Sequence, residues 1–489
     1  MIHALLLAAA LAGDTVRVPG ITREFRGVWV ATFGNIDWPS ARGLPVAQQQ
    51  QELLAILDRA QQLHLNAVIF QVRPAGDAMY DSQLEPWSEF LTGRQGVAPS
   101  PRWDPLAFAV REAHARGLEL HAWFNPFRAG TASSGPFSSL HFSRTHPGMV
   151  KSYDKLLWMD PGEQEVRDHT VRVVLDVVKR YDIDGVHIDD YFYPYPEHDR
   201  LGRLVQFADE PSYNRYRRGG GTLARDDWRR HNVDLVVETL NREIHALKPW
   251  VKFGISPFGI YRPGFPAGVE GIDTYQELYA DARRWVNLGL ADYFSPQLYW
   301  PLHTPGQDYS QLLKWWDDQD YLGRHIWPGN FTSRAGSTPE WSASELVSQV
   351  MATRADHVAT GNVHYSMHAL MNNQGGVADQ LAARVYSGPA LVPASPWMPG
   401  ETPQAPTVHL VTEGPLRAMA CFMEPATPAP RWWVLRVKRS ATWSLQVLPG
   451  DLRELALGAL GPTDTVAVSA VDKTGREGVA SLGSPAKSC

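Results

Sequence analysis

From residue 25 to about residue 386 the chain alternates between two hydrophobic periods. Short, nearly unbroken apolar runs predict buried strands, and longer segments with apolar residues three and four apart predict helices. The first run is Phe25 to Phe33 (FRGVWVATF), followed by a helix over Ala47 to Leu63 with Leu53, Leu54, Leu57 and Ala60 on one face. A second run, His64 to Val72, leads through a Gly-, Pro- and Trp-rich loop (Arg73 to Arg102) to a helix over Asp104 to Arg116, closed by Gly117. The third run is Leu118 to Asn125; a long loop to Asp160 and a helix from Pro161 to Tyr181 precede the fourth, Val186 to Ile188. Further strands are expected at Val251 to Ser256, Asp292 to Tyr299, His325 to Gly329 and Asn362 to Met367. The helices between and after them fall near Asp226 to Leu247, Thr274 to Leu288, Ser310 to Gln319, Ser342 to Asp356 and Val377 to Tyr386. Eight strand-then-helix units make an α/β chain of the (β/α)₈ TIM-barrel type. Strands that are apolar throughout suit a parallel sheet covered on both faces. An open doubly wound sheet shares the alternation, but the count of eight and the lack of a Gly-rich phosphate loop after strand one favour the closed barrel.

The pattern then changes. Gly388 to Pro406 holds six prolines and reads as a linker. Beyond it, short strands at Thr407 to Val411, Leu416 to Met423, Trp432 to Val437, Trp443 to Val447 and Thr465 to Ala470 predict a small all-β sandwich. Its ending, VAVSAVDKTGREG, resembles the last strand and turn of a fibronectin type III domain. The expected organisation is a leader over 1–20, a barrel over 21–388, a Pro-rich linker over 389–406 and a fibronectin type III-like sandwich over 407–489.

Composition narrows the function. Net charge is -6 with 20% charged residues, and no Lys/Arg cluster tracks a phosphate backbone, which argues against nucleic acid. Eighteen Trp and seventeen Tyr fit contact with carbohydrate, although large barrels also bury many aromatics. MIHALLLAAALAG has a short apolar stretch with a small-x-small site at Ala10-Leu11-Ala12, read as a signal peptide that places the chain in the periplasm or outside the cell. The leader is too short to span a membrane. Asp14 stands where a lipidated cysteine would, so lipid anchoring is not supported. Two cysteines, Cys421 and Cys489, exclude a cysteine-built zinc site and leave a disulfide between them open. No cofactor or metal is expected, and oligomeric state is not readable.

The densest chemistry is DGVHIDDYFYPYP, Asp184 to Pro196. Strand alternation puts His187, Asp189 and Tyr191 on one face. In this barrel class the strand ends carry the chemistry. The residues expected there are Arg73, Asp77 and Tyr80 after strand two, Trp123 and Asn125 at strand three, and His187, Asp189, Asp190, Tyr191 and Tyr193 at strand four; Gln297, Tyr299 and Trp300 follow strand six. Asp160 is read either as a helix cap or as a catalytic carboxylate reaching in from its loop. There is no Gly-x-Ser-x-Gly elbow and no histidine cluster with metal spacing. A mouth of carboxylates and aromatics points instead to glycoside hydrolysis, which needs an acid for the leaving oxygen and a carboxylate or acetamido group to meet the charge at the anomeric carbon.

REFRGVWVAT (Arg23 to Thr32), FQVRPAGDAMYDSQLEPWSEFLTG (Phe70 to Gly93), HAWFNPFR, WMDPG, DGVHIDDYFYPYP, GISPFGIYRP and SPQLYW recur in order, and with them the chain resembles the glycosyl-hydrolase-like family 10 proteins of the bacterial envelope. The resemblance implies a glycosidase of bacterial wall glycan, and at least one such relative acts on peptidoglycan strands stripped of stem peptides. DGVHID is also similar to the strand-four motif of the α-amylase superfamily, where Asp189 would be the nucleophile, and to the family 18 chitinase motif, where Asp189 would orient a substrate acetamido group. The chitinase acid would fall on Tyr191 and the amylase acid on the end of strand five, which here reads Ser256-Pro257-Phe258. Asp189 is thus central, while the acid stays open among Asp190, Asp160, Glu85 and Glu270. The expected substrate is a β-1,4 N-acetylhexosamine wall glycan, with Arg73, Asp77, Gln297 and Tyr299 on its polar groups and Trp123, Tyr191, Tyr193 and Trp300 stacking on its rings. The alternatives are a barrel that binds wall glycan without cutting it, and a hydrolase of another polysaccharide such as an α-glucan.

Overall fold

The computed structural model describes residues 17–412, 418–423 and 429–489. The signal-like residues through 16 lie outside that range. Eight parallel strands form the barrel: β1 (Phe25–Val30), β2 (Ala67–Arg73), β3 (Glu119–Phe124), β4 (Gly185–Ile188), β5 (Lys252–Ile255), β6 (Tyr293–Phe294), β7 and β8 (Gly361–His364). Strand β7 comes in two pieces, His325–Ile326 and Gly329–Asn330, because Pro328 between them has no N–H to give to a ladder. The first piece pairs with β6 and the second with β8, and β8 pairs with β1, so the ring closes.

Side-chain alternation divides the barrel strands between two cores. Val28, Val30, Val68, Phe70, Leu120, Val186 and Phe253 face the helices. Phe25, Trp29, Ile69, Trp123, Tyr293, Trp327 and Val363 fill the barrel interior. Small residues make room for the inward rings. A Cβ at Gly254 would lie 1.9 Å from the Tyr293 ring, and one at Gly185 would lie 2.6 Å from His121.

Two segments differ from expectation. The run Asp292 to Tyr299 pairs as a strand only at Tyr293–Phe294, since Pro296 ends the ladder and Gln297 returns as single bridges to Phe258 and Gly329. The stretch read as a loop to Asp160 contains a three-stranded antiparallel sheet, Arg128–Thr131, Val150–Tyr153 and Leu156–Met159. Its strands are four residues each, too short to carry a periodic signal.

The C-terminal unit is two four-stranded sheets face to face. Thr407–Thr412 and Ala418–Met423 pair with Glu454–Gly458 and Ser484–Ala486, while Trp432–Arg439 lies between Thr442–Pro449 and Thr465–Val471, with Ser481–Leu482 at the edge. Val408, Phe422, Trp433, Leu435 and Val468 pack between them. The Pro-rich segment is a packed strap: Ala390–Leu391 pairs with Thr22–Arg23, and Val392, Ser395 and Met398 are buried. Arg431 of the sandwich donates to Asp182 at 2.8 Å and to Asp184 at 2.8 Å, just before β4 begins. The sandwich therefore sits under the N-terminal end of the barrel strands, the end away from the cleft described below.

Cys421 and Cys489 are joined, closing a sequence separation of 68 residues. Loop-closure entropy of that size is worth about 4 kcal/mol to the folded sandwich. Cys421→Ser is expected to lower the melting temperature of the sandwich and to abolish its sensitivity to reductant, read by calorimetry with and without dithiothreitol. Identical melting of wild type under both conditions would remove the bridge from the stability of this unit.

Candidate active site

The ladder of β4 stops at Ile188. Alternation therefore no longer governs the next two residues, and Asp189 and Asp190 both face a cleft at the C-terminal end of the barrel. Trp29, Trp123, Tyr191, Tyr195, Ser256, Gln297, Tyr299, Phe331 and Tyr365 complete its lining. The cleft encloses about 200 Å³. That is less than the roughly 300–1,000 Å³ of a pocket holding a whole drug-sized ligand.

The two carboxylates have different partners. Asp189 Oδ2 accepts from Trp123 Nε1 at 3.0 Å and from Asn125 Nδ2 at 3.2 Å. Asp190 accepts from the Tyr195 hydroxyl and from Gln297. Each is about 96–97% buried, at 4% and 3% exposure. Burial is the main force on Asp189 and pushes its carboxyl up to about 7, with the neighbouring Asp190 charge adding to the rise; Arg128, Trp123 and Asn125 oppose it. Burial raises Asp190 as well, against the hydrogen bonds from Tyr195 and Gln297. Burial thus favours the protonated form of both carboxyls, and at Asp189 the neighbouring charge adds to that effect. Burial lifts the Tyr191 hydroxyl to about 12, so it remains a neutral phenol.

Asn125 is oriented by its surroundings. The Arg128 backbone N–H donates to its Oδ1 at 2.9 Å, which turns its Nδ2 to Asp189. The Asn125 carbonyl accepts from Arg73 Nη1 at 2.8 Å, and the Pro126 carbonyl from the same nitrogen at 2.9 Å. Arg73 in turn is paired with Glu85, Nε to Oε2 at 2.8 Å, and His169 reaches Glu85 Oε1 at 2.9 Å. Arg73 is 0% exposed. Its expected contact with substrate is corrected: it fixes the turn that holds Asn125.

A polar column runs down the barrel axis below the cleft. Trp29 Nε1 lies 3.1 Å from His187 Nε2, and His187 Nδ1 lies 3.0 Å from the Tyr293 hydroxyl. That hydroxyl is 2.8 Å from His121 Nδ1, and His121 Nε2 is 3.0 Å from Glu119, which also takes Lys252 at 3.0 Å. An indole N–H only donates, so His187 Nε2 accepts and Nδ1 carries the proton. The Tyr293 hydroxyl then passes the direction on to His121. Burial holds His187 well below the usual histidine range, in keeping with a neutral ring. His187 supports the floor from beneath and does not line the cleft.

Of the other residues expected at the mouth, Trp123, Tyr191, Gln297 and Tyr299 come together around Asp189 and Asp190. Five do not. Asp77 is buried, with Gln95 Nε2 and the Ala75 N–H each at 3.2 Å. Tyr80 is buried edge-on to Tyr181. Tyr193 is buried against Phe207 and Tyr279. Trp300 meets Phe258 edge-on and is one ring removed from Tyr195. Asp160 closes the turn to Gly162 N at 2.9 Å and accepts from Ser212 Oγ at 2.7 Å. It neither caps the following helix, which starts at Gln164 after Glu163, nor reaches the cleft. Tyr195 is one of the aromatics that follow the Asp pair in the sequence, whereas Trp29, Phe331 and Arg128 are not among the expected residues. Trp29 lies in the middle of the run Phe25 to Phe33 read as strand one, although β1 itself stops at Val30, and Arg128 follows β3 by four residues, positions where a strand-end rule applied to the sequence does not look. Phe331 directly follows the second piece of β7, which the pattern of the sequence ended too early.

The model of the family described as Glycosyl hydrolase-like 10 matches residues 24–332. Glycosyl hydrolase YngK of Bacillus subtilis (strain 168) is 42% identical over 402 residues, 80% of this chain and 77% of that protein. Glycosyl hydrolase DigH of Escherichia coli (strain K12) is 37% identical over 318 residues, 61% of this chain and 70% of that protein. The solved PgaB (BpsB) glycoside hydrolase domain from Bordetella bronchiseptica is 11% identical, covers 74% of this chain and 99% of that one, and has a TM-score of 0.49. With the family model spanning β1 to β7 and a curated relative aligned over most of its length, the chain belongs to the glycosyl hydrolase-like 10 family.

Proposed function

We propose that this protein hydrolyses β-1,4-linked N-acetylhexosamine glycan of the bacterial cell wall, acting on strands that have lost their stem peptides. The observation that carries the reading is the pair of buried, adjacent carboxyls in an aromatic cleft, both raised by burial and Asp189 to about 7. One carboxyl of the pair gives its proton to the glycosidic oxygen as the bond from that oxygen to the anomeric carbon breaks. The charged partner, or the substrate's own acetamido group oriented by it, meets the positive charge. Water then adds its hydroxide to the anomeric carbon and returns a proton to the pair. Trp29, Trp123 and Tyr299 offer faces for the sugar rings. The Cys421–Cys489 bridge supports a periplasmic or extracellular location, where disulfides persist.

The test presents purified protein with intact peptidoglycan and with stripped strands, and products are read by mass spectrometry. Short muro-oligosaccharides from the stripped strands support the proposal. One observation favours a second reading: β5 is followed by Ser256, whose hydroxyl is tied to the Ser295 carbonyl at 2.9 Å, so that strand end supplies no carboxylate to the cleft. Saturable binding of the strands with no new reducing ends would make the protein a glycan-binding barrel.

Activity should also follow the pair's proton. A carboxyl raised to about 7 is neutral below that pH, so kcat/KM is expected to fall above about pH 7 as the acid is lost, and to fall again in acid as the second carboxylate is protonated. A profile without a basic limb between about pH 6 and 9 would detach Asp189 and Asp190 from proton transfer.

A further inference from the structure

Arg128 is the buried ion that the mechanism leaves unused. It opens the strand Arg128–Thr131 beside the cleft and is 5% exposed. Its guanidinium carbon lies 4.2 Å from the Phe33 ring centroid and 4.3 Å from that of Tyr191, which lines the cleft. Stacking of this kind occupies the faces of the guanidinium and leaves its edge, where all five N–H groups point. Beyond a hydrogen bond with the Tyr191 side chain, little meets that edge. Nη1 has one long bond, 3.4 Å, to the Pro74 carbonyl, and Nε is buried with no partner. Among the described residues no carboxylate comes within ion-pair distance of it, although its charge acts on both Asp189 and Asp190. Burying a guanidinium with open donors is unfavourable unless something fills the position.

The electrostatics of the cleft indicate what would fill it. Two adjacent carboxyls repel an anionic glycan, and Arg128 is a cation held next to them. We propose that Arg128 is a carboxylate-reading subsite, taking an anionic substituent of the glycan through its N–H fork. The inference rests on the wall-glycan reading above, and in that substrate the substituent is the lactyl carboxylate of a muramic acid residue. Such a group is a free anion only after the stem peptide is removed, because the peptide is joined to it as an amide. A peptide-bearing strand presents a neutral amide that lacks the charge and the second acceptor oxygen. Arg128 thereby accounts for a preference for stripped strands by charge rather than by steric exclusion.

The test compares stripped strands with the same strands whose carboxylates are converted to methylamides, on wild type, Arg128→Gln and Arg128→Lys. Wild type is expected to favour the free carboxylate by roughly tenfold to a hundredfold in kcat/KM, the worth of a charge-assisted bidentate bond. In Arg128→Gln that ratio should fall to about one whatever happens to the absolute rate, and Arg128→Lys should keep part of it. An unchanged ratio in Arg128→Gln overturns the proposal and leaves Arg128 as a cation acting on Asp189. Binding of both strand types, read by tryptophan fluorescence, separates the two claims: if nothing is cleaved, an Arg128-dependent preference for the carboxylate form still supports this subsite while the hydrolase reading fails. Hyaluronan oligosaccharides, with their carboxylate on the sugar ring, distinguish the source. Arg128-dependent capture of hyaluronan but not of muramoyl strands would overturn the lactyl assignment.

Discussion

Asp189→Asn is expected to lower kcat/KM on stripped glycan strands by roughly 10²–10⁴-fold, the usual worth of a positioned acid or base. The same substitution should leave the barrel more stable in mild alkali, and the two effects share one cause. In the folded protein the Asp189 carboxyl is pushed up to about 7, chiefly by burial. In the unfolded chain it titrates near 4. Between those values the native state holds a proton that the unfolded state has released, so stability falls as pH rises through the interval and stays reduced above it. Asparagine carries no charge to bury. Its oxygen in the place of Oδ2 keeps the bonds from Trp123 and Asn125, while the weaker 3.3 Å contact of Asn125 with Oδ1 is given up. The stability advantage of the variant should therefore grow by roughly 3 kcal/mol from about pH 5 to pH 8, measured by urea denaturation. An inactive variant with a lower midpoint at both pH values would mean that activity was lost through folding. An active one would remove Asp189 from the chemistry.

The separation of legible from illegible residues follows from what each signal encodes. The barrel was readable because the strands are buried on both faces and the helices on one, so both periods survive in the sequence. The carboxylates were readable because the rule that chemistry sits at strand ends depends only on where a strand stops. Which polar strand-end residue meets substrate was not readable. Arg73 ends β2 and Asp77 and Tyr80 follow it, yet the chain folds back there and buries all three in supporting contacts. His187 faces the interior as alternation requires, but Tyr293 and Trp29 close over it. Asp190, expected at the strand end, reaches the mouth beside Asp189 because the alternation that would turn it away has already ended at Ile188. Arg128 was hidden because nothing local marks it; its environment is assembled from Phe33 and Tyr191, distant in sequence.

The largest expected loss of stability lies in that supporting layer. Glu85→Gln leaves the fully buried Arg73 without its counter-charge, and removing one partner of such a pair costs about 3–5 kcal/mol. Arg73 and His169 hold the Glu85 carboxyl well below the usual range in spite of burial. A carboxyl lowered by folding stabilises the protein above its unfolded value and loses that contribution as pH falls below it. The variant should therefore lie below wild type at neutral pH, and the gap should narrow on the acid side below about pH 4. The chemistry should suffer too, because Arg73 holds the Asn125 and Pro126 carbonyls, and Asn125 holds Asp189. That path runs through Asn125 to the Asp189 carboxylate, so kcat is expected to fall with it. The double variant Glu85→Met with Arg73→Met distinguishes a charge left alone from a hole left in packing. If the single variant is destabilised by an orphaned guanidinium, removing that guanidinium should restore most of the stability. Activity should stay low in the double variant, because the two carbonyls still lack the donor that fixed their turn. Additive losses in the pair would show that packing, and not charge, is what Glu85 contributes.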